Sequence, residues 1–150
     1  MTKENPPTSP PCIFCQIITC QAPASLLYED HLVLAFLDLH QEEPPGHVLI
    51  VPRRHASQLF DLQEDEAAAL MQAALRLGRA VQAAYQPDGI NLWQSNGVAA
   101  GQEIDHFHLH LMPRSSGDGL IRWQPRFPGP RPQVELDAVA ARLRAALLPE

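Results

Sequence analysis

The stretch HFHLHLM, residues 106–112, constrains the fold more than any other part of the chain. Apolar and imidazole side chains alternate with a period of two. That is the period of a β-strand, whose successive side chains point to opposite faces. Phe107, Leu109 and Leu111 are therefore expected to face a core, with His106, His108 and His110 in a row on the other face. Side chains two apart on a strand stand roughly 7 Å from each other. Such a row suits contact with successive parts of an extended ligand better than closure on one small ion. Imidazole serves as nucleophile, proton carrier or hydrogen-bond donor near neutral pH. The loop just before the strand, Gly97 to Gln102, carries small residues whose backbone N–H groups can approach an anion. A phosphate beside a nucleophilic histidine is the simplest chemical reading. A solvent face that happens to carry histidines does not explain three in strict alternation beside a Gly–Gln loop.

The remaining elements follow from the same kind of pattern. LLYEDHLVLAFLD, 26–38, reads as two strands joined by a tight turn near Glu29 to His31. A third strand lies in PPGHVLIVPRRH, 44–55, and a fourth in INLWQS, 90–95. CIFCQII, 12–18, is expected to start a short helix. From Asp61 to Tyr85 the period becomes helical, with Leu70, Ala74, Leu77, Val81 and Tyr85 on one stripe and Asp61 with Glu64 as a capping box. Pro87-Asp88-Gly89 stops that helix. PRSSGDG returns to loop, the Pro-rich segment around 125–132 is irregular, and Val134 to Leu148 is expected to form a final helix striped by Leu136, Val139, Leu143 and Leu147. Hairpin-linked strands with few crossover helices predict an α+β fold with a five-stranded antiparallel sheet and two main helices. The expected organisation is a disordered tail over 1–11, rich in Pro, Ser and Thr, and a single domain over 12–150.

Charge and apolar patterning narrow the function. The net charge of −6 argues against binding nucleic acid or an anionic membrane through bulk basic surface. The start, MTKENPPTSP, lacks the apolar stretch of a signal peptide, and the longest apolar runs, VLAFL and HVLIV, are too short to span a bilayer. A cytoplasmic location is expected. The three cysteines would then stay reduced. Cys12-x-x-Cys15 alone is ambiguous: half a zinc site, a redox pair, or neither. No thioredoxin-like βαβ pattern surrounds it, which makes redox the weakest of these. Cys20 is spare, and His31 and His40 read as solvated turn residues.

The HFHLHLM motif resembles the signature of the histidine-triad (HIT) family, three histidines alternating with apolar residues. The resemblance runs from Cys12 to about Gly119 and includes CIFCQII, YEDHLVLAFLD, PGHVLIVPRRH, NGVAAGQE and MPRSSGDG, which look like the matching segments of bacterial members. It implies a nucleotide hydrolase or transferase with an α+β fold, in which two subunits join their five-stranded sheets as a homodimer. It also implies a purine nucleotide as the small-molecule partner. By resemblance, His108 attacks the α-phosphorus to form a nucleotidyl-histidine, and the backbone carbonyl of His106 orients it. His110 donates to phosphate oxygens, His47 is the supporting fourth histidine, and Gln102 lies near the bridging or leaving oxygen. Asp38 accepts the ribose hydroxyls. Ile13, Phe14, Ile17 and Leu39 form the apolar slot for the base, and Ser95, Gly101, Gln102 and Glu103 border the phosphate. Members that begin with the same CxxC complete a structural zinc site with histidines matching His55 and His106, so the implied ligands are Cys12, Cys15, His55 and His106.

The chain departs from the family pattern at three places. The stretch LHQEEPPG between Asp38 and His47 is one residue longer than usual. Ser95 stands where many members carry Asn, with Asn96 next to it expected on the other face. Glu103 stands where some relatives carry Ser, and its carboxylate would repel phosphate unless it turned outward; its backbone N–H is the expected contact. Two rivals to the hydrolase follow. The nucleotidylyltransferase branch carries Gln at the third triad position, which His110 argues against. A nucleotide-binding regulatory module with feeble catalysis is the other, suggested by Ser95 and Glu103.

Overall fold

A computed structural model describes residues 12–119 and 130–146. The expected N-terminal tail and most of the Pro-rich segment lie outside the described residues. By their contacts the residues group into two units, Met1–Asp118 and Gly119–Glu150.

The first unit is built on five antiparallel strands: β1 (Leu26–Glu29), β2 (Val33–Leu37), β3 (Val48–Pro52), β4 (Gly89–Trp93) and β5 (Leu109–Arg114). Their order across the sheet is β1-β2-β3-β5-β4. The expected α+β architecture with its five-stranded antiparallel sheet is what forms. Asp30 makes the β1–β2 turn: its Oδ1 accepts the N–H groups of Leu32 and Val33, both at 2.8 Å, and its Oδ2 accepts the hydroxyl of Tyr28.

Alternation along β2, β3 and β5 divides the apolar side chains between two faces. Val33, Ala35, Val48, Ile50, Leu109 and Leu111 meet the helix α2 (Glu64–Tyr85) through its Leu70, Ala73, Ala74, Leu77 and Val81. Leu34, Phe36, Leu49 and Val51 meet the short helix α1 (Ile13–Ile18) through Phe14. Both faces are covered, so β2 and β3 read as continuous apolar runs instead of alternating ones.

Three expectations about α2 need correction. It starts at Glu64, capped by Gln63, because the Glu66 carboxylate accepts the Gln63 N–H at 2.8 Å. Asp61 instead closes a separate 3₁₀ turn, Leu59–Asp61, by accepting the N–H of Gln58. Tyr85, expected in the buried stripe, sits in the last turn and is 48% exposed. The fourth strand also ends earlier than expected, at Trp93, and Gln94, Ser95 and Asn96 form loop.

The second unit contains α3 (Gln133–Ala146), where Val134, Leu136, Val139 and Leu143 are all exposed. Leu147 and Leu148 lie outside the described residues. Among the described residues no helix is long and apolar enough to cross a membrane.

Candidate active site

The histidine row is set up by the start of β5. The hydrogen-bonded strand begins only at Leu109, so His106 and His108 lie ahead of it. Their backbone is held by other means: His106 N–H donates to Ile104 O, and Phe107 N–H to Ala56 O at 2.6 Å. The alternation survives, with Phe107, Leu109 and Leu111 in the α2-side core. The opposite face is covered at His106 and His108 and half-open at His110. His106 is 0% exposed and His108 8%, because α1 covers them. The Phe14 ring meets both edge-on, at centroid distances of 5.8 Å to His106 and 5.3 Å to His108.

Both ring nitrogens of His106, and Nδ1 of His108 and of His110, have defined partners. Nδ1 of His108 lies 2.7 Å from the carbonyl oxygen of His106. A carbonyl only accepts, so Nδ1 carries the hydrogen and Nε2 of a neutral His108 keeps a bare lone pair. His110 lies 4.9 Å from His108, centroid to centroid, and its Nδ1 is 3.0 Å from Nε2 of His47. Burial, reinforced by His108 and His47 and opposed by Asp38, pushes His110 down to about 4. It is therefore neutral at pH 7 without a ligand.

Trp93 is a site residue that the motif did not flag. In register it is the direct partner of His110 across the β4–β5 ladder. Paired residues project to the same face, and the indole lies parallel to the His110 ring, 4.3 Å away at an angle of 1°. His47 lies beside both rings, its centroid 5.3 Å from His110 and 5.7 Å from Trp93, at 26° to each. The signal was present in the sequence as an aromatic in a predicted strand, but only strand order shows which histidine it meets.

The other expected residues gather unevenly. Asp38 directly follows β2 within reach of His47 and His110; side-chain N and O atoms of the three lie within 4.8 Å of one another. Its Oδ1 accepts the N–H of His40 at 2.7 Å, and His40 Nδ1 lies 3.3 Å away. His40 is thus more than a free turn residue, although its ring is exposed. Gln41 makes the lengthened Asp38–His47 loop compact: its side chain bonds both the carbonyl and the N–H of His47. Phe14 is core, Ile17 is half-buried against it, and Ile13 and Leu39 are exposed, Leu39 by 95%.

The Gly97–Gln102 loop differs from expectation. Gly97 and Gly101 adopt positive φ, 79° and 87°, which glycine accepts without a Cβ clash. The N–H groups of Ala100, Gly101 and Gln102 all donate to carbonyls inside the loop. Gln102 binds the loop with its side chain, accepting from Gly97 N–H at 2.6 Å and donating to Ser57 O and Ile104 O. Gln102 here shapes the loop. Ser95 is half-buried, Glu103 is exposed as its charge requires, and Asn96 accepts the N–H of Leu59.

A second cluster joins α1 to the row. Cys12, Cys15, His55 and His106 bring four ligating atoms within 4.8 Å of one another. Nδ1 of His106 is 3.5 Å from Cys12 Sγ and 3.6 Å from Cys15 Sγ, and Nδ1 of His55 is 3.3 Å from Cys15 Sγ. Ligands on a tetrahedral zinc, with Zn–S of about 2.3 Å and Zn–N of about 2.05 Å, stand about 3.6 Å apart sulfur to nitrogen. His106 Nε2 lies 2.9 Å from Pro52 O and donates to it, which leaves Nδ1 free as a ligand. Burial and the neighbouring Cys12 push the Cys15 thiol up to about 11. Two thiols so placed ionise when a cation joins them. The donor set fits zinc.

A five-stranded antiparallel sheet with a row of alternating histidines beside a short helix defines an α+β domain of a recognisable class. The HIT domain model matches residues 19–117, and the chain belongs to the HIT family. Adenosine 5'-monophosphoramidase of Saccharomyces cerevisiae is 40% identical over 111 residues, spanning 73% of this chain and 67% of that protein. A HIT family member from Bacillus subtilis superposes with a TM-score of 0.83 at 31% identity, covering 94% of this chain and all of the other. A Zn-bound histidine triad family protein from Mycobacterium smegmatis gives 0.68 at 33% identity, covering 91% and 98%.

Proposed function

We propose that the chain hydrolyses a nucleoside 5'-phosphoramidate or dinucleoside polyphosphate through a nucleotidyl-histidine on His108. The observation that carries this is the 2.7 Å contact from His108 Nδ1 to the His106 carbonyl, which leaves Nε2 bare and nucleophilic. Nε2 attacks the α-phosphorus, and the bond to the leaving nitrogen or phosphate oxygen breaks. Water then attacks the same phosphorus, freeing His108 and a nucleoside monophosphate. His110 donates to phosphate oxygens as charge moves in the transition state. Asp38 accepts the ribose hydroxyls, and Ile13, Ile17 and Leu39 flank the base. The phosphoramidase activity named for the yeast relative supports this substrate class.

Cys12, Cys15, His55 and His106 would hold a structural zinc, as the Zn-bound mycobacterial relative supports. The ion would neutralise two thiolates and tie α1 to the row. Nothing in the reaction passes through it, because the nucleophile is His108. We also propose a cytoplasmic homodimer, joined along β4 and α2. Exposed Met71, Leu75 and Leu92 line an open apolar groove there of about 640 Å³.

The committed N–H groups of the Gly97–Gln102 loop favour one other reading, a module that binds a nucleotide and turns it over feebly. Incubation with adenosine 5'-phosphoramidate separates the two. Release of AMP and ammonia supports hydrolysis; tight AMP binding without turnover overturns it in favour of the module.

A further inference from the structure

We infer that the His47–His110 pair takes up one proton when a phosphate-bearing ligand binds, and that His47 is the positioning residue that makes this uptake necessary. The inference rests on the nucleotide-site reading above and specifies how that site recognises its anion.

The argument is one of tautomers. His47 Nδ1 lies 3.4 Å from the carbonyl oxygen of His40, which can only accept, so Nδ1 carries a hydrogen. A neutral His47 then has a bare Nε2, and it must accept from Nδ1–H of His110 across 3.0 Å. A neutral His110 is left with a bare Nε2. That nitrogen repels phosphate oxygens instead of donating to them. The opposite tautomer of His110 would turn the bare Nδ1 of His47 against the His40 carbonyl, lone pair to lone pair. One added proton removes the conflict. Whether it resides on His110 or on His47, Nε2 of His110 becomes a donor and every other contact is kept.

The surroundings suit a proton that arrives with the ligand. His108 faces His110 from the same segment, and Asp38 faces the pair from the end of β2 with His40 beside it. Burial and the neighbouring imidazoles keep His110 neutral in the free protein, while Asp38 opposes them. A bound anion adds to the side of Asp38. The parallel Trp93 ring at 4.3 Å offers its π face to the charged form. Within the row the two histidines are thus set oppositely. The His106 carbonyl keeps Nε2 of His108 bare for attack, and His47 denies His110 its donor until a proton enters from solvent. That proton can pass from His110 Nε2 to the departing nitrogen, which returns the pair to neutrality.

The test is calorimetric titration with the methyl ester of AMP, a phosphodiester whose single charge does not titrate near neutrality. Heats measured at pH 7.5 in buffers of different ionisation enthalpy report the protons taken up. Wild-type protein is expected to take up close to one proton per site, about 0.7 or more. His47→Ala frees His110 to adopt the Nε2–H tautomer, so uptake should fall below about 0.2 while the diester still binds. Nitrogen NMR of labelled wild-type protein gives a reading independent of that variant: His110 Nε2 should shift from bare to protonated on binding. Binding without proton uptake, or uptake unchanged in a folded His47→Ala, overturns the inference and leaves the nucleotide reading standing. Failure of both AMP and its ester to bind overturns the nucleotide reading, and this inference with it.

Discussion

The carbonyl oxygen of His106 accepts from Nδ1 of His108 at 2.7 Å, while the ring of the same His106 closes the cysteine–histidine cluster. One buried residue therefore connects the proposed metal site to the tautomer of the proposed nucleophile. Its ring is anchored on both sides, by Pro52 O at Nε2 and by the two sulfurs at Nδ1.

Replacing the nucleophile should separate chemistry from binding. His108→Ala is expected to lower turnover of adenosine 5'-phosphoramidate by several orders of magnitude, since the covalent nucleophile is lost. AMP affinity should change little, because Asp38 and the base slot are untouched. Single-turnover kinetics and calorimetry check the two halves. Near-normal turnover in this variant would sink the mechanism.

Metal removal should cost stability before anything else. A ligand bound only to the folded state and present at 100 times its dissociation constant stabilises by about 2.7 kcal/mol, so chelation should lower Tm by about 5–10 °C in a chain of this size. His55→Ala should do the same. Affinity should fall with pH, because the ligands must lose protons and the Cys15 thiol is raised. Elemental analysis of protein purified without added metal is the direct measurement. No zinc, with Cys12 and Cys15 freely titratable in the native protein, would refute the site.

The Arg54–Glu66 pair predicts acid sensitivity. Arg54 Nε and Nη2 donate to the two Glu66 oxygens at 2.9 and 2.6 Å, and Gln63 N–H adds a third bond. Arg54 foremost, then these other contacts, hold the Glu66 carboxyl below its ordinary 4.5 despite burial. A lowered carboxyl contributes stability above its unfolded value and loses it as pH falls through the folded one. Tm should therefore drop as pH falls below about 4.5, and Glu66→Gln should flatten that slope at the cost of a lower Tm at neutral pH. A slope identical in variant and wild type would assign the acid sensitivity elsewhere.

The groove between α2 and β4 predicts the association state. Light scattering at micromolar concentration should give twice the chain mass. Leu75→Glu combined with Leu92→Glu should give a monomer, because both side chains are exposed on that face and a charge there resists burial. A monomeric wild type would remove the dimer.

Alternation and residue chemistry, both local properties, made much of this protein legible. The period of two in HFHLHLM placed Phe107, Leu109 and Leu111 in the core, and the period of α2 placed Leu70, Ala74, Leu77 and Val81 there too. The strand order and the folding of α1 over the row are long-range, and no local pattern contains them. They decided that His106 and His108 are buried, that Trp93 lies flat on His110, and that Cys12 and Cys15 meet His106, 94 and 91 residues away. Gln102 likewise turns inward to meet the Ser57 carbonyl, 45 residues away in the chain, which no local pattern contains. Residue identity and spacing set which side chains could do chemistry; the packing of the sheet set which nitrogen of each histidine is free to do it.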